Sequence, residues 1–120
     1  MIKKLLLLSF LVISALKVVV AEQGWKEKKA TYYATQAAQE FMLTEEQKSA
    51  VYKYKFSEYS EFGLIVKKNK EGGFINEEDF KKTKSDFWKG QKKKLAIIVG
   101  VEPKELNPFL NRMRTELPKI

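Results

Sequence analysis

Leu43-Thr44-Glu45-Glu46-Gln47 opens the longest stretch of this chain that reads as one element, running to about Lys68. The Thr44 hydroxyl can accept from the backbone amide three residues on, and the Gln47 side chain can reach back to the Thr44 amide, which is a capping box. Leu43, just before it, turns the chain with an apolar contact. At about 100° per residue, Tyr54, Ile65, Val51, Phe62, Val66, Tyr59, Tyr52 and Phe56 then spread over more than half of the helix circumference. One packed neighbour needs only about 100° of that arc. The excess is either buried between two neighbours or left exposed to a partner, and Tyr52, Phe56 and Tyr59 are the candidate contacts in the second case. Gly63 falls inside the run and allows a bend.

A helix of this kind needs others beside it, and the flanks supply them. Trp25 to Met42 has no proline and no internal glycine and is rich in good helix formers. It places Ala30, Tyr33, Ala37 and Phe41 on one face. Asn69 to Asn76 reads as a loop around Gly72-Gly73. Asn76 caps a third helix from Glu77 to about Val99, with Asp79 at the box position and Ile75 and Phe80 spaced as a hydrophobic staple. Glu77, Glu78 and Asp79 set negative charge at the positive end of the helix dipole.

That third helix carries one narrow stripe: Phe80, Phe87, Trp88, Gln91, Leu95, Ile98 and Val99. The β-branched run from Leu95 to Val101 continues the stripe and stays helical in this reading. Seven lysines and one acid, Asp86, lie between Lys81 and Lys94. Such a run is either a solvated face or a docking surface for anionic groups, with Lys81, Lys82, Lys89, Lys92 and Lys93 as the candidates. Gly100 reads as a left-handed cap. Asn107-Pro108 reads as a cap and first-turn proline for a short helix, Pro108 to Thr115, stopped by Pro118. The expected fold is therefore all-α: three main helices plus a short C-terminal helix, the second and third forming an antiparallel hairpin.

The first residues read as an export signal. Lys3 and Lys4 precede an apolar run from Leu5 to Leu16, and Val19 and Ala21 are small residues at a cleavage site after Ala21. The apolar run is shorter than the roughly 20 residues of a membrane span. The expected domains are 1–21, signal peptide, and 22–120, a single small helical domain, periplasmic or secreted. Removing Lys3, Lys4 and Lys17 from a chain of net charge +8 leaves +5 on the mature part. A positive balance favours anionic partners such as acidic proteins, lipid headgroups or polyanionic glycans, with nucleic acid not expected outside the cytoplasm. An exported domain this small often carries disulfides, yet the chain has no cysteine. Helix packing, a homodimer partner or both must supply its stability.

Lacking both His and Cys, the chain offers neither the commonest general base nor a thiolate nucleophile. No catalytic residues, metal ligands or cofactors are expected. Gly73-Phe74-Ile75-Asn76-Glu77-Glu78-Asp79-Phe80 resembles the second half of an EF-hand loop. Its first, third and fifth ligand positions would be Lys68, Lys70 and Gly72, which cannot supply the oxygens calcium needs.

Leu43, Thr44 and Gln47 match the L-T-x-x-Q motif, and the chain thereby resembles the Spy/CpxP-like periplasmic proteins. The match extends to an export signal, an Ala/Gln/Lys-rich helix, then the motif opening a long charged helix. The resemblance covers about Ala30 to Lys94. It implies an all-helical fold, cradle-shaped dimers, no enzyme active site, and a role as an ATP-independent chaperone or envelope-stress modulator. The family often carries a second copy of the motif, and the corresponding region here, Val101 to Pro108, lacks it. The expected function is an exported, non-enzymatic protein-binding module engaging unfolded clients. The alternative is a structural or regulatory subunit, an inhibitor or sensor, with one fixed partner. The three motif residues are expected to act structurally.

Overall fold

The computed structural model describes residues 24–120, so the predicted leader lies outside the described residues. Four α-helices follow in order: α1 (Trp25–Phe41), α2 (Glu45–Lys70), α3 (Glu77–Val99) and α4 (Asn107–Glu116). Short 3₁₀ turns at Pro103–Leu106 and Leu117–Lys119 flank α4. Among the described residues there is no strand, and no helix is long and apolar enough to cross a membrane.

The helix boundaries follow from local chemistry. Met42 adopts a left-handed conformation, φ 52°, and ends α1. Thr44 Oγ1 accepts from the Gln47 amide at 3.1 Å. In return the Thr44 amide donates to Gln47 Oε1 at 2.9 Å, closing the expected capping box. Helix α2 runs through Gly63 without a break and ends at Lys70. Gly72 is left-handed, and a Cβ on Gly73 would lie 2.6 Å from the Lys68 side chain, so the turn needs both glycines. The Asn76 side chain accepts from the Asp79 amide at 2.8 Å. Gly100 takes the left-handed cap with φ 83°.

Two local expectations are corrected. Ile75 is 92 % exposed and staples nothing; Phe74 takes that role, its ring 5.3 Å from that of Phe80. Asn107 is the first residue of α4 rather than its cap, because the preceding 3₁₀ turn already carries the chain in helical geometry.

The core sits at one end of the long helices. Tyr33, Ala34 and Ala37 of α1 meet Val51 of α2, Leu95, Ala96 and Val99 of α3, and Leu106, Phe109 and Met113. Phe109 is the centre, with its ring 5.0 Å from that of Tyr33 and 5.6 Å from that of Phe41. The small alanines on α1 let α2 approach closely, as the spacing predicts. Polar ties fasten α4 across α1: Arg112 donates to Glu40 and Gln36, and Lys29 donates to the Leu117 carbonyl. Tyr32 donates to Glu116. Beyond Glu58 no residue of α2 is buried, and none of α3 is buried before Gln91. The packed end is called the body, and residues 60–70 and 77–90 with their connecting turn the arm.

Candidate functional site

Each motif residue has a structural partner. Leu43 packs half-buried against the core. Gln47 does more than close the box: its Nε2 donates to the Ile98 carbonyl at 3.1 Å. The last carbonyls of a helix have no partner within it, so this one side chain ties the start of α2 to the last turn of α3.

On α2, Tyr52 and Phe56 stack with centroids 6.2 Å apart, both half-buried. Tyr59 meets Trp25 edge-to-face at 5.1 Å. Between them lies a group that the periodicity does not reveal. Lys55 and Glu58 are buried and paired, Nζ to Oε2, at 2.5 Å. The ammonium lies 4.5 Å from the Tyr33 ring centre and 4.9 Å from that of Tyr59, where the ring faces attract a cation. The Tyr54 hydroxyl donates to the other Glu58 oxygen at 3.4 Å.

This packing raises the phenols above their ordinary range. Burial, then the Glu58 charge, pushes Tyr59 up to about 12. The same two causes push Tyr33 and Tyr54 higher still. For Tyr52 the causes are burial and then Glu27. A Lys and a Glu three residues apart inside an aromatic arc are the signal that could have revealed the pair.

The α3 lysines behave differently. Lys82, Lys89 and Lys93 are exposed. Lys81, also exposed, lies 3.6 Å from Glu77. Lys92 is half-buried and donates to Asn107 Oδ1 at 2.6 Å, which bridges α3 to α4. Among the described residues, no cation–ring or hydrogen-bonded contact joins any of these lysines to Tyr52, Phe56 or Tyr59. The predicted aromatic contacts of α2 and the predicted lysines of α3 are therefore not joined to one another.

The arm brings a different set together. Phe62 packs on Phe87 at 5.9 Å and on Trp88 at 5.0 Å. Lys68 sits over Phe74 at 4.4 Å, and Lys84 over Phe80 at 4.3 Å. Trp88, Leu64 and Ile75 are 44 %, 67 % and 92 % exposed. Sequence reasoning assigned Trp88 to a packing stripe and did not single out Leu64 as a surface residue. Helical spacing marks a face but does not say whether a neighbour reaches it.

No family model, curated protein or solved structure matches the chain.

Proposed function

We propose that this chain is an exported, non-enzymatic protein-binding module, similar in role to the Spy/CpxP-like proteins. It engages unfolded or partly folded clients in the periplasm or outside the cell. The observation that carries the reading is the arm: long helical segments with aromatic and aliphatic side chains half or fully exposed among lysines. A small domain rarely leaves such side chains in water unless something covers them. Lysines around them attract acidic chains and discourage self-association. The lack of His and Cys supports a binding rather than a catalytic role. The basic, apolar leader sequence supports export.

The reading treats α2 and α3 as an antiparallel hairpin whose turn carries Ile75. Its support is that Gln47 meets Ile98, Glu61 meets Gln91 and Phe62 meets Phe87, pairs whose numbers run in opposite senses. The purified protein should suppress aggregation of an unfolded client without nucleotide, more strongly at low salt. Failure across several clients removes the reading.

One observation favours a fixed-partner module instead. The rings of the arm are already paired, Phe62 with Phe87 and Phe74 with Phe80, and a preorganised surface suits one partner better than many. A pull-down from envelope extract separates the two: one stoichiometric band supports the fixed partner, a broad distribution supports the chaperone.

A further inference from the structure

The junction of α2, α3 and α4 encloses a groove of about 380 Å³, within the roughly 300–1,000 Å³ of small-molecule sites. Its floor is the Lys55–Glu58 pair and the Tyr33 and Tyr54 rings, and Trp88 and Leu110 line it from opposite helices. Lys92 and Arg114 also line it. Among the described residues Glu58 is the only carboxylate lining the groove, and both of its oxygens accept a bond, one from Lys55 and one from Tyr54. The charge left to face a ligand is therefore positive.

Lys92 is held in place by its bond to Asn107, which uses one of three ammonium donors and leaves the others free. Arg114 is exposed and offers the planar fork that pairs with a carboxylate through two hydrogen bonds. We infer that this groove binds a small organic anion, its carboxylate held by Arg114 and Lys92 and its apolar body lying between Trp88 and Leu110. A cationic ligand would meet two like charges at the same place. The inference does not rest on client binding, although Trp88 lines both the groove and the arm.

The test is a calorimetric titration of the purified protein with naphthoate, naphthylmethanol and naphthylmethylammonium, which share one apolar body and differ in charge. Naphthoate should bind one-to-one, about tenfold tighter than the alcohol, as expected for a charge-assisted contact, and the ammonium should not bind. Arg114→Gln should weaken naphthoate about tenfold and leave the alcohol unchanged, a split that general loosening of the fold would not produce. Lys92→Gln repeats the test from the other helix if the first variant melts early. Equal binding of all three ligands, no saturable binding, or naphthoate affinity unchanged in both variants would overturn the inference. So would sedimentation in which naphthoate dissociates a dimer, since the groove would then be a contact between two copies of the chain.

Discussion

The body and the arm are built from the same two helices, yet they hold together by different means. In the body, α2 and α3 are each covered on one side, and Val51, Leu95 and Val99 lie in the core that Phe109 centres. In the arm, no α2 or α3 residue is buried, and the contacts are ring pairs and lysines over rings. The transition falls at Glu58 and Gln91, the last buried residue of α2 and the first of α3. Within α3 the body side is also the more apolar, most clearly in the Leu95–Val99 run, and it is there that the neighbouring helices pack on it. Helix continuity carries the arm, while burial anchors the body. Local opening should therefore begin in the arm, where apolar contacts are few.

The sharpest way to break this comparison is to remove one ring from each region. Phe109→Ala should cost about 3–5 kcal/mol in a denaturant titration, the range for an aromatic lost from a core. Phe62→Ala should cost about 1 kcal/mol, the scale of an aromatic pair. Equal losses would mean that the arm is as well packed as the body.

The buried ion pair gives the next largest effect. Lys55→Met leaves Glu58 buried without its cation and should cost about 3 kcal/mol. Replacing both residues together, Lys55→Met with Glu58→Leu, should recover most of that loss, since an apolar pair of similar volume is often as stable. A double variant as unstable as the single one would show that the Tyr54 bond to Glu58, not the ion pair, matters most.

At the joint between the helices, Gln47→Ala removes two hydrogen bonds, to the Thr44 amide and the Ile98 carbonyl. It should cost about 1.5 kcal/mol against about 1 kcal/mol for Thr44→Ala. Each kcal/mol corresponds to roughly 4–8 °C in melting temperature for a domain of this size. The capping box alone would make Thr44 the more important partner. A larger drop for Thr44→Ala would mean that the Ile98 contact contributes little.

Alkali separates the regions more gently. Tyr33, Tyr54 and Tyr59 belong to the body, and the Tyr59 phenol is pushed up to about 12 by burial and then by Glu58. The folded state therefore holds its phenolic protons beyond the unfolded value of about 10. Each contribution is complete below pH 10; that of Tyr59 is lost as the pH rises from about 10 towards 12, and the loss from Tyr33 and Tyr54 continues above that. Melting temperature followed against pH should fall in that window together with the appearance of tyrosinate absorbance. A fall that begins below pH 9 would point to other groups.

The smallest effect on stability is expected at the tip of the arm. Ile75→Ser, at a side chain 92 % exposed, should change stability by less than about 0.5 kcal/mol. If the arm receives clients, the same change should weaken client binding. Unchanged binding would move the client surface away from the turn.

Local signals in the chain determined the helices and most of their ends. The Thr44 and Asn76 caps, the Gly72-Gly73 turn and the Gly100 stop act within a few residues, so a local reading suffices. The 3.6-residue period likewise marked Ala30, Tyr33, Ala37, Val51, Leu95 and Val99, all of them buried. Ile75 and Phe74 were exchanged in the staple because both are apolar and adjacent, and only the path of the turn chooses between them.

Tertiary structure decided which apolar faces find a neighbour. Trp88 shares its stripe with Leu95, yet one is 44 % exposed and the other fully buried. The cause is the return of α4, whose approach depends on contacts such as Arg112 with Glu40, 72 residues apart. The same return placed Arg114 and Lys92 on one groove, while the packing of α1 on α2 set Lys55 and Glu58 among three tyrosines. Periodicity follows one helix at a time, whereas burial and charge pairing depend on distances between helices.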